Sequence, residues 1–171
     1  MKKKILVTGC AGYLGSNLIN FLNSKKNLIV SGIDIGFFDE CIFLKEKFKY
    51  YKIDLREVDD KFYKEFDCII HLSGVSNNPL KIGSEEISYL ESEKYTFKIA
   101  DICKKNNIKL IFPSSCSVYG NSEDEFVDED SIVNPLTSYS KNKIRIEDYL
   151  NSIKTENFFP IILRLSTVFG L

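Results

Sequence analysis

The sequence predicts an α/β fold built on a doubly wound parallel sheet, and three observations predict it. Short apolar runs alternate with amphipathic stretches from end to end of the 171 residues, the order expected of strands joined by helices. Most of the runs are near-continuous, which suits strands covered on both faces. The first run ends in a glycine-rich turn that passes into a helix-period stretch, the setting of a phosphate-cradling loop.

The opening MKKKILVTGC has two readings. Its lysines, apolar patch and cysteine resemble a bacterial lipoprotein signal, and the same letters read as a first strand entering a loop. Length separates them. A signal needs roughly 7–15 apolar residues, and only Ile5-Leu6-Val7 stand between Lys4 and Thr8. A buried strand needs about 4–8, so Lys3–Thr8 is read as a strand. Leu14–Lys25 then carries helix-period apolar residues, and Leu28–Asp34 is the second strand. A short helix is expected near Glu40–Lys47, a strand over Tyr50–Asp54, a second short helix over Asp60–Phe66 and a strand over Cys68–Leu72. Glu85–Lys105 is a long helix and Lys109–Ser114 the fifth strand. The acidic stretch Glu123–Asp130 reads as a surface loop that Asn134-Pro135 ends. In the helix Thr137–Lys154, Ile146, Leu150 and Ile153 recur at i, i+4 and i+7. Pro160–Val168 closes the series as a strand.

Composition narrows the function. The chain suits one domain spanning residues 1–171. A net charge of −1 predicts no nucleic-acid or anionic-membrane partner. No stretch approaches the ~20 apolar residues of a membrane span. The five cysteines are scattered, odd in number and without a CxxC pair, so no metal site or disulfide framework is expected. Reduced thiols and the lack of a signal sequence point to the cytoplasm.

Gly9-Cys-Ala-Gly12-Tyr-Leu-Gly15 has the spacing GxxGxxG between a strand and a helix. Gly9 permits the tight turn, Gly12 admits a pyrophosphate close to the backbone, and Gly15 lets helix pack on sheet. Asp34 ends the second strand about 20 residues further on, where a dinucleotide fold places the acid that binds the adenosine ribose hydroxyls. A carboxylate there repels a 2′-phosphate, which favours NAD over NADP. Asp54-Leu55, ending the third strand, could flank the adenine.

Tyr139-Ser-Lys-Asn-Lys143 opens a helix, and its i, i+4 spacing sets a phenol and an ammonium on one face. A nearby cation stabilises phenolate, so Tyr139 is expected to act as a base below its free pKa near ~10. As a bare pattern, YxxxK is also common on solvated helix faces. Ser114-Ser115-Cys116-Ser117-Val118-Tyr119-Gly120 follows the fifth strand, at the sheet end where such folds bind ligands.

Together, TGCAGYLG, Asp34, Asp54-Leu55, His71-Leu72-Ser73-Gly74, SSCSVYG, YSKNK and Arg164-Leu-Ser-Thr-Val-Phe-Gly170 resemble the extended short-chain dehydrogenase/reductase family. Within it, the resemblance is to the NAD-dependent epimerase/dehydratase group that acts on nucleotide sugars. It runs from Lys3 to Gly170 and implies a Rossmann-type NAD-binding domain. It also implies a catalytic hydroxyl on Ser115, a base at Tyr139, and a Lys143 that binds the nicotinamide ribose and tunes Tyr139. Tyr13, Leu14, Leu72, Ser73, Gly74 and Val75 would surround the dinucleotide. His71, the single histidine, would be scaffold. Cys116 has no histidine partner in the sequence to make it a nucleophile.

Three departures bear on activity. The 4,6-dehydratases of this family carry an Asp-Glu pair immediately after the catalytic hydroxyl, and Cys116-Ser117 stands there instead, so dehydration lacks its general acid. The usual Asn-Val-x-Gly-Thr run is Ser92-Glu-Lys-Tyr-Thr96. Family members also continue into a C-terminal substrate domain, so by resemblance this chain is truncated after the sixth strand. The expected function is nucleotide-sugar epimerisation by hydride transfer through a keto-sugar. A reductase of the same family, or an NAD-binding module without turnover, remains an alternative. Family members commonly pair the helices Glu85–Lys105 and Thr137–Lys154 across a dimer, so a homodimer or other self-association is expected.

Overall fold

The computed structural model describes residues 1–37, 39–41, 48–75, 85–122 and 126–169. Six strands form one all-parallel sheet: β1 (Lys3–Thr8), β2 (Leu28–Asp34), β3 (Lys49–Lys52), β4 (Cys68–His71), β5 (Lys109–Ser115) and β6 (Ile161–Leu165). Their order across the sheet is β3-β2-β1-β4-β5-β6. The order reverses between β1 and β4, so the crevice where such sheets bind ligands opens at their carboxyl ends. The helices are α1 (Tyr13–Asn23), α2 (Asp60–Tyr63), α3 (Glu85–Asn106) and α4 (Ser138–Ser152).

Alternation along β1 assigns the two faces. Ile5 and Val7 point to one side, where Val30, Cys68 and Ile19 of α1 complete a cluster. Leu6 points to the other, into a larger core with Ile33, Ile69, Leu110, Phe112, Ile99 of α3, and Ile146 and Leu150 of α4. Helices on both faces are what near-continuous apolar strands require.

Strands β1 and β2 match their predicted bounds, and the other boundaries differ for local reasons. The third strand stops at Lys52 because Asp54 caps the next turn, Leu55–Glu57, its side chain accepting from the Arg56 amide. The sixth stops at Leu165, opposite Ser115, because β5 there gives way to the 3₁₀ turn Cys116–Tyr119. The second short helix ends at Tyr63, three residues early. The one expected near Glu40–Lys47 lies mostly outside the described residues, apart from the 3₁₀ turn Asp39–Cys41. Part of the acidic loop, 123–125, and Gly170 also lie outside them.

Helix α4 is set with care. Thr137 and Ser140 form a reciprocal capping box, which satisfies amides at a terminus that would otherwise lack partners. Glu93 of α3 accepts from Asn142 Nδ2 at 2.8 Å and Arg145 Nε at 2.6 Å. Phe97 stacks on Tyr149 with ring centroids 4.0 Å apart. The face that carries Asn142, Arg145 and Tyr149 is therefore fixed against α3, and this sets the direction of the adjoining face with Tyr139 and Lys143.

Candidate functional site

A cleft of about 950 Å³ opens at the carboxyl ends of β1, β4, β5 and β6. Gly9, Gly12, Tyr13, Leu14 and Gly15 form one wall, and Leu72, Gly74 and Val75 the next. Ser114, Ser115, Tyr139 and Lys143 close it from the far side. Residues more than a hundred positions apart in sequence are thus brought around one space.

The glycine loop is built from close approaches. Gly9 has φ +68°, and a Cβ on it would stand 2.7 Å from the Ser73 nitrogen. A Cβ on Gly15 would stand 2.1 Å from the Gly9 oxygen, so α1 could not begin where it does. At Gly12 the nearest atom to such a Cβ is 3.4 Å away, and the residue borders the cleft. Gly9 and Gly15 serve the turn and the packing, and Gly12 leaves room for a ligand. Asp34 braces the same loop: its carboxylate accepts from the Ala11 amide at 3.0 Å and the Gly36 amide at 2.9 Å.

On the opposite side, the Ser115 hydroxyl lies near enough to the Tyr139 phenol to lower its proton affinity and accepts from the Ser117 amide at 3.2 Å. Lys143 Nζ donates to the Pro113 carbonyl at 3.0 Å. It lies 5.5 Å from the Tyr139 ring centroid and 4.6 Å from that of Phe112. Burial lowers this ammonium to about 8, with Glu147 one turn along α4 opposing.

Sequence reasoning expected Lys143 to draw the Tyr139 phenol below its ordinary value. In this structure the phenol is raised: burial lifts it, the neighbouring Ser115 hydroxyl opposes, and Cys116 adds to the rise. The reason is geometric. The ammonium is directed at the Pro113 carbonyl and lies over two ring faces, so the phenolate gains no ion pair with it.

Not every expected residue reaches the cleft wall, and Asp34, whose carboxylate is taken by the Ala11 and Gly36 amides, is not among its lining residues. Asp54 is engaged by the Arg56 amide and guanidinium, and Leu55 is packed in the core. Ser73 is turned so that its amide meets Thr8 Oγ1. His71 is fully buried beneath the wall, and burial pushes it down to about 3. Cys10, inside the glycine loop, is also fully buried, and its thiol is pushed up to about 12, first by burial and then by Asp34. Conversely, Ser16, Asn17 and Asn20 line the cleft without having been singled out, and Leu165, Ser166 and Val168 line it from a motif that carried the resemblance but was given no site role. The signal for Ser16, Asn17 and Asn20 was the polar face of α1, one and two turns beyond Tyr13.

Among the described residues, no helix is long and apolar enough to cross a membrane. The sequence model of the NAD dependent epimerase/dehydratase family matches residues 5–171. The chain is 31% identical over 165 residues to ADP-L-glycero-D-manno-heptose-6-epimerase of Brachyspira hyodysenteriae, spanning 90% of this chain and 50% of that protein. It is 29% identical to dTDP-D-glucose 4,6-dehydratase of Dictyostelium discoideum, spanning 98% of this chain and 44% of the other. The chain thus spans about half the length of these curated relatives. Among solved structures, UDP-glucuronic acid 4-epimerase from Bacillus cereus in complex with NAD superposes with a TM-score of 0.83 at 28% identity, covering 98% of this chain and 57% of that one. A parallel sheet with this strand order, a glycine loop facing a Ser-Tyr-Lys group, and a family match over nearly the whole sequence agree, and the chain belongs to the NAD dependent epimerase/dehydratase family.

Proposed function

We propose that this chain binds NAD in the cleft and carries the reacting side of a nucleotide-sugar epimerase. The observation that carries the reading is the convergence of Ser115, Tyr139 and Lys143 on one wall, opposite the glycine loop. The residues fit a dinucleotide. Gly12 leaves the loop backbone open to the cleft, and α1, eleven residues long, presents its N-terminus there, an arrangement that favours phosphate. Asp34, at the end of β2, would receive the adenosine ribose hydroxyls. Gly74 and Val75 would border the dinucleotide, with Ser73 supporting them from behind.

The bound nicotinamide would supply the hydride-accepting chemistry, and the chain's own residues would supply position and proton transfer. Tyr139 would take the proton of a sugar hydroxyl at its phenolic oxygen. Ser115, beside that phenol, would hold the same hydroxyl and share its proton. Lys143, whose ammonium lies over the Phe112 ring, would orient the nicotinamide ribose. Cys116 and Ser117, after Ser115, offer no carboxyl group at those two positions to protonate a leaving hydroxyl, which favours epimerisation over dehydration.

A cofactor-binding unit without turnover is the second reading. It is favoured by the raised Tyr139 phenol, which lacks the ion pair a base would use. Cytoplasmic residence and homodimerisation accompany either reading as expectations. Calorimetric titration with NAD and NADP tests the shared claim. The expected result is saturable NAD binding at one site, with weaker NADP binding; no NAD binding would overturn it. Turnover of a UDP-sugar then separates the two readings.

A further inference from the structure

Thr8, His71 and Thr96 form a buried run of hydrogen bonds, and the direction of every bond in it follows from chemistry. Thr96 Oγ1 lies 2.7 Å from the Ser92 carbonyl oxygen. A carbonyl only accepts, so the single hydroxyl proton of Thr96 is committed there. Thr96 Oγ1 also lies 3.0 Å from His71 Nε2. With its own proton committed, the threonine oxygen accepts, and Nε2 carries a hydrogen. A neutral imidazole carries only one, so Nδ1 is bare and accepts from Thr8 Oγ1 at 2.8 Å. The Thr8 oxygen in turn accepts from the Ser73 amide at 3.2 Å. The run therefore reads in one direction: Ser73 amide to Thr8, Thr8 to His71, His71 to Thr96, Thr96 to the Ser92 carbonyl.

Nothing in this run accommodates a second proton on His71. Thr8, His71 and Thr96 are each at most 1% exposed, so water is not at hand as an alternative partner. The groups facing the ring are Thr8 from β1, Thr96 and Tyr95 from α3, Phe112 from β5 and Lys143 from α4. Among them, the one charge is the ammonium of Lys143, which disfavours an imidazolium. With both ring nitrogens bonded to threonine hydroxyls, His71 is also closed to proton exchange with the cleft.

Both ends of the run meet the same short segment. At one end is the Ser73 amide. At the other is Ser92, whose backbone carbonyl ends the run and whose separate side-chain hydroxyl is 3.5 Å from where a Cβ on Gly74 would stand. Gly9 confines the segment from a third side through its contact with Leu72 and Ser73. We propose that His71 is a positioning residue, held as the neutral Nε2–H tautomer, which directs the Thr8 hydroxyl so that Thr8 holds the Ser73 amide and thereby sets the Leu72–Val75 wall of the cleft. Its consequence for NAD affinity rests on the cofactor reading above; its consequence for the wall does not.

His71 is the only histidine in the chain, so a two-bond ¹⁵N–¹H spectrum of the uniformly labelled protein reports this ring alone. The expected spectrum is that of a neutral Nε2–H imidazole from about pH 8 to about pH 5, across the range where an ordinary histidine titrates. An Nδ1–H tautomer, an averaged signal or an imidazolium in that range would overturn the proposal. Thr8→Val is expected to speed hydrogen exchange at the Ser73 amide and to weaken NAD binding about tenfold, the scale of one lost buried hydrogen bond. Thr8→Ser, which keeps the hydroxyl, is expected to restore both. A folded Thr8→Val protein with unchanged Ser73 exchange would also refute the positioning role. If Thr8→Val does not fold, the spectrum of the unmodified chain still decides. Absence of NAD binding by the unmodified chain would sink the cofactor reading and leave the spectrum and the Ser73 exchange to judge this one.

Discussion

Glu147 holds Arg164 through both of its carboxylate oxygens, at 2.8 and 3.1 Å to one and 3.3 Å to the other, while accepting from the Ser114 hydroxyl. The carboxylate is buried, and the guanidinium, 5.0 Å above the Tyr119 ring, donates to the Tyr119 hydroxyl at 3.0 Å and the Glu129 carbonyl at 3.3 Å. One ion pair thus ties α4, β6, the end of β5 and the 126–131 loop together, a single helical turn from Lys143.

Removing one member should therefore be worse than removing both. Glu147→Gln leaves a guanidinium largely buried without its charge partner, and about 3–5 kcal/mol of stability should be lost. Glu147→Gln combined with Arg164→Met should recover part of that loss. Urea unfolding of the three proteins measures it. Equal midpoints for Glu147→Gln and the unmodified chain would show that the pair contributes little.

Asp34 should set the cofactor preference. Its carboxylate already accepts two backbone amides and stands at the end of β2, where a 2′-phosphate would meet negative charge. Asp34→Ala should weaken NAD and narrow its advantage over NADP. Competitive titration of both cofactors is the check, and tighter NADP binding by the unmodified chain would remove Asp34 from this role.

Tyr139→Phe separates chemistry from binding. The substitution keeps the ring, which lies 6.4 Å from that of Tyr89, and deletes only the phenolic oxygen. NAD affinity should stay within about twofold, a change smaller than one typical hydrogen bond. In any form of the protein that turns over a nucleotide sugar, the rate should fall about 10²–10⁴-fold. Near-normal turnover would end the assignment of Tyr139 as base.

Much of this was legible in the sequence because the relevant signals are local. Gly9, Gly12 and Gly15 declare their loop by spacing, and Ile146 and Leu150 declare the buried face of α4 by periodicity. The relation between Lys143 and Tyr139 was legible only as proximity. Which way the ammonium points depends on the Pro113 carbonyl, thirty positions away on another element, and so the direction of the Tyr139 shift was missed. The hydrogen-bond run through His71 was hidden for the same reason: Thr8, His71 and Thr96 are polar residues inside apolar elements, and sequence alone does not say that they meet.

Lys143 should carry a stability cost that is relieved by alkali. Its folded value, about 8, lies below the 10.5 of an unfolded lysine. Between those values the unfolded chain binds more protons, so this group makes stability rise with pH there. Below about pH 8 the cost is fully present. Lys143→Met should then stabilise the chain at pH 7 by about 1–2 kcal/mol, less than the full shift implies because the Pro113 carbonyl loses its donor. The gain should fade between about pH 8 and pH 10.5 and vanish only above that, where the unmodified lysine is neutral in both states. Taking the difference between variant and parent cancels the thiols that titrate in the same range. NAD affinity should fall as stability rises, the usual trade at a binding site. Equal melting at pH 7 would mean that the buried ammonium carries no cost.

The two outer strands of the sheet differ in their defence against pairing with another chain. Strand β3 begins and ends with a lysine, Lys49 and Lys52, and charge at an edge discourages association. Strand β6 pairs only with β5 among the described residues, and its outward side chains are Ile161, 45% exposed, and Leu163, 43% exposed. Its one charged residue, Arg164, is turned inward to Glu147, and Phe159, just before the strand, is 71% exposed. An apolar edge with free amides and carbonyls invites association, so the 171-residue chain should self-associate as its concentration rises. Leu163→Lys places one ammonium on the exposed face, outside both hydrophobic clusters, and should shift the chain toward monomer while leaving its melting temperature and NAD affinity nearly unchanged. Sedimentation velocity across a dilution series, run on both proteins, measures this. A parent chain that stays monomeric throughout would show that the β6 edge is protected by some other means, and a Leu163→Lys protein that associates as strongly as its parent would move the contact elsewhere on the surface.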